Sequence, residues 1–274
     1  MKAIEEQVIL ITGATDGLGK QAALELAKKG ATVLLHGRNS KKTKQTFEEI
    51  RSATGNDKLK YYLADFAALE EVRHLAQSIK DKHDRLDILI NNAGMGAGER
   101  NNAKRELSQD GYELRFAVNY LAPFLLTHLI LPSIQSSTPA KIINVASVGQ
   151  SAIDFDDVML EKNYDGIRAY SQSKLALVMF TFDLAKKLKQ DITVNCLHPA
   201  SLMNTKMVLE TFGSSMSTIE EGTDALLYLV ESPDLDEVTG EFFNGKQIAQ
   251  ADAQAYDEKA RQQLWNLSKE LTMP

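Results

Sequence analysis

Short β-prone apolar runs alternate along the whole chain with longer amphipathic stretches, and this alternation restricts the possible folds more than any other feature. The runs are Val8–Thr12, Thr32–His36, Lys60–Leu63, Ile88–Asn91, Lys141–Ala146, Thr193–Leu197 and Glu241–Asn244. Between them, apolar side chains recur with helical spacing over Lys20–Lys29, Lys41–Arg51, Leu69–Lys80, Tyr112–Leu131, Ala169–Lys189 and Glu220–Val230. Strands separated by helical crossovers rejoin their sheet in parallel, and the helices then cover both faces. Val8–Ile11 and Ile88–Ile90 are apolar at every position, as expected of strands buried on both faces. No Pro/Gly/Ser linker, repeat or low-complexity tract interrupts the pattern. The expectation is a single α/β domain over residues 1–274, doubly wound, with about seven parallel strands in the order 3-2-1-4-5-6-7.

Composition removes several function classes. Charged residues make up 25% and hydrophobic residues 43%, so the chain is neither disordered nor fibrous. Thirty-one Lys+Arg against 37 Asp+Glu give a net charge of −6, which argues against a nucleic-acid partner. The one cysteine, Cys196, excludes an internal disulfide and a cysteine-cluster metal site, and fits a reducing compartment. The longest apolar stretch, around Leu121 to Leu131, is broken by Pro123, Thr127 and His128 and is shorter than the roughly 18 residues a bilayer span needs. Met1 to Gln7 is polar and acidic, without a signal-peptide pattern. The expectation is a cytoplasmic protein with no membrane anchor.

In a doubly wound, Rossmann-type sheet, ligands bind beyond the carboxyl ends of the strands, so the residues just after each strand carry the chemistry. After the first strand comes Thr12-Gly13-Ala14-Thr15-Asp16-Gly17-Leu18-Gly19, and then a helix. Glycines at this spacing permit positive φ and let backbone N–H groups approach a pyrophosphate, with the helix dipole assisting. The second strand ends His36-Gly37-Arg38-Asn39. An NAD-binding chain places a carboxylate there for the ribose hydroxyls; here Arg38 offers a guanidinium suited to a 2′-phosphate. NADP(H) is therefore preferred, with NAD(H) still possible. Asp16, in the same pocket, argues the other way, and an ordinary solvated arginine is the competing reading of Arg38. Lys41-Lys42-x-Lys44 reads as a solvated helix start, with Lys41 the member placed to assist Arg38.

Tyr170-x3-Lys174 opens a strongly helical stretch, and positions i and i+4 share a helix face. An ammonium beside a phenol favours the phenolate and makes tyrosine a usable acid–base group near neutrality. Ser147 follows the fifth strand at the same edge of the sheet, where its hydroxyl can hold a carbonyl or alcohol oxygen.

With these residues in order, the chain resembles the short-chain dehydrogenase/reductase superfamily over almost its full length. The matches are the glycine turn, Asp65 after the third strand, Asn91-Asn92-Ala93-Gly94 after the fourth, then Asn119, Ser147 and Tyr170-x3-Lys174. Gly37-Arg38-Asn39, the long gap from Ser147 to Tyr170 and the tail Leu264-Trp265-x2-Ser268-x-Glu270-Leu271-Thr272 look most like the retinol-dehydrogenase-like and WW-domain-oxidoreductase-like branch. The resemblance implies that Tyr170 transfers the proton, Lys174 depresses its pKa and bonds the nicotinamide ribose, and Ser147 orients the substrate oxygen. It implies that Asn119 holds a water linking Lys174 to solvent. It assigns Gly13, Thr15, Asp16, Gly17, Leu18 and Gly19 to the pyrophosphate turn, and Asp65 and Phe66 to the adenine. Asn91, Ala93 and Gly94 line the adenosine ribose and stabilise the sheet, and Pro199 and Thr205 sit on the nicotinamide side, with Thr205 bonding the carboxamide. Each has a plainer alternative: Asp65 as a helix cap, Asn119 at a helix kink, Ser147, Asn91 and Asn92 as turn residues.

The chain departs from the superfamily pattern at His198-Pro199-Ala200, where Pro-Gly is usual, and in the long segment Gln150–Arg168 with Asp154, Asp156, Asp157 and Glu161. That segment reads as a solvated acidic loop, and no metal site is assigned, since no histidine accompanies the carboxylates. The pocket walls are expected at Met95–Leu107, Val148–Ile153 and Ala200–Thr218. The last is Met-rich and apolar, a candidate lid over an apolar substrate. Three glycines within Gly94–Gly98 suggest mobility. Trp265 is expected to anchor a C-terminal helix, and His198 is the only histidine near the nicotinamide side. Homo-oligomerisation through Tyr112–Leu131 and Ala169–Lys189 follows from the resemblance. The expected activity is hydride transfer between a nicotinamide cofactor and a small-molecule carbonyl/alcohol pair. A cofactor-binding sensor without turnover and an epimerase or dehydratase are the alternatives.

Overall fold

The computed structural model describes residues 2–98, 104–188 and 191–273. In chain order these form β1 (Val8–Ile11), α1 (Gly17–Lys28), β2 (Thr32–Gly37), α2 (Ser40–Thr54), β3 (Lys60–Leu63), α3 (Leu69–Lys80) and β4 (Ile88–Asn91). Then come α4 (Leu114–Phe116), a π-helical turn (Ala117–Leu121), α5 (Ala122–Gln135), β5 (Ala140–Val145), α6 (Gly166–Lys187) and β6 (Ile192–His198). The chain closes with α7 (Lys206–Phe212), α8 (Ile219–Glu231), β7 (Phe242–Asn244), β8 (Gln247–Ile248) and α9 (Glu258–Thr272). The end of the expected helix at Lys189, and residues 99–103 of the expected wall Met95–Leu107, lie outside the described residues.

The sheet has eight strands in the order β3-β2-β1-β4-β5-β6-β7-β8. The first seven are parallel in the expected order, and β8 is antiparallel, with Phe243 opposite Ile248 and Asn244 opposite Gln247. A two-residue strand has no periodicity to read, which is why the sequence reading stopped at seven. Side chains alternate strictly between two cores, as the period-2 geometry of a strand requires. Leu10, Leu34, Leu89, Ile142 and Val194 face α3, α5, α6 and α9. Ile9, Ile11, Val33, Leu35, Ile88, Ile90 and Ile143 face α1 and α8.

The helical run Leu114–Gln135 is long and apolar enough to cross a membrane, but 72% of its most apolar window is buried within this fold. Near its start is the π-helical turn, closed by Ala122 N–H to Ala117 C=O. Such turns accommodate an extra residue and cluster at functional sites. The outer side of α5 and α6 is covered by α9. Trp265 meets Phe124 edge-on at 5.4 Å, and His128 and Phe180 complete the cluster. Arg261 donates to Asp183 at 2.7 Å, Tyr120 and Ser268 hydroxyls meet at 2.5 Å, and Arg73 and Tyr112 donate to the Thr272 and Leu271 carbonyls. The faces expected to meet a second copy are therefore largely occupied by the chain's own C-terminal helix.

Candidate active site

The glycine turn is latched from three sides. Gly13 has φ +66° and Gly17 φ +48°, both in the left-handed region that glycine enters without strain. A Cβ on Gly13 would lie 2.7 Å from Ala93 Cα, so the turn stays bare backbone where it meets the loop after β4. Thr12 Oγ1 accepts from the N–H groups of Asn92 and Ala93, both at 2.9 Å, and Asn92 Nδ2 donates back to the Thr12 and Gly13 carbonyls. His36 provides the third latch. Its Nε2 donates to the Ala64 carbonyl at 3.0 Å, because a carbonyl only accepts, and its Nδ1 accepts from Gly13 N–H at 3.2 Å. Burial pulls the His36 pKa down to about 4, so the ring is neutral and both bonds hold at neutral pH. Sequence reasoning passed over His36 because a lone histidine in an apolar strand carries no motif.

Asp16 caps α1, its Oδ1 accepting from Gly17 N–H at 2.8 Å. Lys20 N–H to Asp16 C=O is the first bond of the helix, so the Leu18 and Gly19 amides lie in the unpaired first turn. This backbone cradle suits a dinucleotide pyrophosphate. Arg38 is exposed at the end of β2 and has no ionic partner among the described residues. Lys42 reaches the turn and pairs with Asp16 at 2.5 Å. Asp65 forms an Asx turn, its Oδ1 accepting from Ala67 N–H at 3.0 Å. Phe66 stacks on His36 at 4.4 Å and is buried, which leaves little of its ring for a ligand. Asn91 is buried and spends its amide on Thr127 and Asn144, tying β4 to β5 and α5 rather than reaching the cleft.

At the other half of the sheet, Ser147 follows β5, and Tyr170 and Lys174 lie one turn apart on α6. Ser147 and Tyr170 flank Gly149, where a Cβ would lie 3.4 Å from Ser147 Oγ and 3.7 Å from Tyr170 Cε1. Ser147 Oγ also accepts from Gly149 N–H at 3.0 Å. Lys174 Nζ is 5.8 Å from the Tyr170 ring centre and donates to the Val145 carbonyl at 2.8 Å. Gly94 closes the group: a Cβ there would lie 3.2 Å from Asn119 Oδ1 and 3.6 Å from Lys174 Nζ. The expected direction of one shift is reversed. Burial holds the Tyr170 phenol above its ordinary value, only partly offset by Ser147, and burial pulls Lys174 down to about 8. Desolvation penalises the charged form of each group, which raises a phenol and lowers an ammonium.

Asn119 lies in the π-helical turn with no exposure. Its Oδ1 accepts from Met95 N–H at 2.8 Å, and its Nδ2 donates to the Met95 carbonyl and to Ser173 Oγ. The side chain therefore clasps the loop after β4. Arg115 continues the clasp, donating to the Gly96 and Ala97 carbonyls, both at 2.9 Å, with Glu113 and Tyr164 completing a buried cluster. The mobility expected of Gly94–Gly98 gives way to a pinned segment, since four of its backbone groups are bonded to buried side chains. Tyr164 belongs to the long segment before α6, so that segment is pinned too. Asp157 organises its acidic part by accepting from Glu161 and Lys162 N–H groups.

The segment after β6 crosses the cleft. Pro199 is buried, and His198 Nε2 lies 3.2 Å from Ser201 Oγ. Leu202 takes φ +46° and its carbonyl accepts from Met216, closing the loop that carries α7. Thr205 caps α7, and its methyl would lie 3.1 Å from a Cβ on Gly17. Met207 packs on Gly96, while Leu209, Phe212 and Met216 are exposed.

Residues 7–214 match the family model for short chain dehydrogenases. The chain belongs to the short-chain dehydrogenase family. This dehydrogenase is 36% identical to human retinol dehydrogenase 13 over 288 residues, which cover 98% of it and 85% of that protein. It is 32% identical to human polyprenol dehydrogenase, with 97% and 85% covered. A solved Shigella flexneri short chain dehydrogenase complexed with NADP is 29% identical, with a TM-score of 0.72 over 88% of this chain and 98% of that one. A Mycobacterium paratuberculosis structure reaches a TM-score of 0.80 at 28% identity, covering 97% and 93%. This dehydrogenase is an oxidoreductase of small molecules that works with a nicotinamide cofactor.

Proposed function

We propose that the protein interconverts a carbonyl and an alcohol with NADP(H), Tyr170 giving and taking the proton. The observation that carries this reading is the convergence of Ser147, Tyr170 and Lys174 at one edge of the sheet, with Gly149 between Ser147 and Tyr170 and Gly94 beside Lys174. A bound nicotinamide dinucleotide supplies or accepts the hydride. Gly13, Thr15, Gly17, Leu18 and Gly19 would hold its pyrophosphate, Arg38 its ribose phosphate, Asp65 the adenine edge, and Ala93, Gly94, Pro199 and Thr205 the remainder. The Ser147 hydroxyl holds the substrate oxygen against the Tyr170 hydroxyl. In reduction the phenol donates its proton to the alkoxide as it forms, and a phenol held above its ordinary pKa by burial is protonated and ready. Lys174, buried beside the ring, stabilises the resulting phenolate.

An apolar substrate suits the mouth. Val148, next to Ser147, is half exposed, and α7 presents Leu209 and Phe212. The single Cys196 is buried in β6, and the reading includes a cytoplasmic site of action.

The test is a fluorescence titration with NADPH and NADH, followed by a panel of apolar carbonyls with wild type and Tyr170→Phe. The variant is expected to bind cofactor as wild type does and to lose turnover by a factor of about 10²–10⁴. Undiminished turnover in Tyr170→Phe would sink the proton role. Equal affinity for the two cofactors would remove the NADP(H) preference.

A further inference from the structure

Glu113 and Arg115, at the start of α4, are buried charges that serve more than each other. Their side chains approach to 3.6 Å, longer than the bonds each makes elsewhere. Arg115 turns its guanidinium to the loop after β4, Nε donating to the Gly96 carbonyl and Nη2 to the Ala97 carbonyl, both at 2.9 Å. Its Nη1 donates to Tyr164 Oη at 2.6 Å, and the Tyr164 hydroxyl in turn donates to Glu113 Oε1 at 3.1 Å. Glu113 Oε2 accepts from Phe116 N–H at 2.7 Å, which fixes the carboxylate to α4. Tyr164 stands two residues before α6, in a segment where the buried Leu160 takes φ +48°. A non-glycine residue in that region persists only where its neighbours dictate it. Here Gln172 Nε2 holds the Val158 carbonyl at 2.6 Å and Arg105 Nε the Met159 carbonyl at 3.0 Å.

Gly96, whose carbonyl Arg115 holds, is also the seat of α7. A Cβ on Gly96 would lie 2.7 Å from Met207 Cγ and 3.5 Å from Thr211 Oγ1, one turn further along α7. The base of the α7 loop is anchored elsewhere, Met203 against Gly222 of α8 and Thr205 against Gly17. We propose that Arg115 is a positioning residue for the apolar part of the substrate: it fixes Gly96 as the seat of α7 and, through Tyr164, ties that seat to the segment leading into the acid–base helix. This rests on the carbonyl/alcohol reading above. A buried ion pair adds little stability over apolar side chains of the same volume, but a guanidinium fork fixes the direction of the two carbonyls it meets. With Gly96 fixed, Leu209 and Phe212 of α7 face the mouth at one distance from Ser147 and Tyr170. Contacts they make with the far end of a substrate are the same before and during hydride transfer. Loosening the seat therefore weakens substrate binding and leaves the chemical step alone.

The test uses the full chain with NADPH and three straight-chain aldehydes, butanal, octanal and dodecanal, in wild type, Arg115→Lys and Tyr164→Phe. Arg115→Lys keeps a charge beside Glu113 but cannot span both carbonyls. Tyr164→Phe keeps both carbonyl bonds and the ion pair, so it carries the test if Arg115→Lys does not fold. Arg115→Lys is expected to raise KM for dodecanal about ten-fold and for butanal less than two-fold, with kcat and NADPH affinity within about two-fold of wild type. Tyr164→Phe is expected to raise KM for dodecanal about two- to five-fold. A rise that is equal for short and long aldehydes, or that comes with lost NADPH affinity, would show that the cluster merely supports the fold, and unchanged KM in both variants would refute positioning outright. Amide hydrogen exchange reads the seat without turnover: α7 is expected to exchange about five-fold faster or more in Arg115→Lys, with residues 13–19 unchanged. If wild type reduces none of the aldehydes, the apolar-carbonyl reading fails, and α7 exchange alone decides whether Arg115 holds the seat; equal exchange in wild type and variant would overturn it.

Discussion

Lys174 shows how far a single buried group can oppose the fold that uses it. The residue is 6% exposed, with the ammonium pKa pulled from the ordinary 10.5 to about 8, and its bonded partner is the Val145 carbonyl. The folded pKa lies below the unfolded one, so the unfolded chain binds more protons between pH 8 and 10.5. Stability therefore rises with pH across that window, and the full penalty, about 3 kcal/mol, applies below pH 8. Lys174→Met abolishes this penalty but leaves the Val145 carbonyl unpaired, at a cost of about 1–3 kcal/mol. The carbonyl cost does not depend on pH, so comparing urea unfolding of the variant with wild type at pH 7 and pH 10 isolates the ionisation. The variant is expected to be more favourable at pH 7 than at pH 10 by about 2–3 kcal/mol, while its turnover is lost. A pH-independent difference would show that the ammonium is not destabilised by burial.

The helices that carry the acid–base group are held by an element remote from it. α9 docks on α5 and α6 through the Trp265 cluster and through Arg261, whose guanidinium also donates to the Ala255 carbonyl at 2.7 Å. The Arg261–Asp183 pair is almost sealed, at 5% and 12% exposure. Removing one partner of such a pair strands the other charge, so Arg261→Ala is expected to cost about 3–5 kcal/mol in denaturant unfolding. Replacing both partners, Arg261→Met with Asp183→Leu, is expected to restore most of that. A similar loss in both would mean that packing, not charge, holds α9. Trp265 is the chain's one tryptophan, so its emission reports the docking of this helix directly. The Ala253–Tyr256 turn before α9 belongs to the same device. Gln254 bonds both backbone groups of Ile153, and Gln150 joins the Ser147 carbonyl to Asp252 N–H. The loop that positions Ser147 is therefore braced by the C-terminal region.

One eight-stranded sheet separates two cores, and the cleft runs along its carboxyl edge from Arg38 to Thr205. Its two halves meet where Ala93 touches Gly13 and Gly94 adjoins Lys174, so the loop after β4 links cofactor cradle and acid–base group. Because α9 covers the faces of α5 and α6, the isolated chain is expected to sediment as a monomer at micromolar concentration. A dimer that persists on dilution would require a different face, or α9 displaced.

The order of the strands, the alternation of Leu10 and Ile9 between two cores, and the glycine turn were all legible from the chain. So was the spacing that puts Tyr170 and Lys174 on one helix face. Each of these depends on local periodicity or on a backbone angle, which residue type and spacing encode directly. The latch of His36 on Gly13, the Arg115 clasp, the pairing of Lys42 with Asp16, and the upward shift of Tyr170 were not legible. They arise where crossovers bring distant segments together and shut water out. Which lysine of a solvated cluster meets a carboxylate 26 residues away, and whether burial raises a phenol, are decided by distance and burial in the assembled fold.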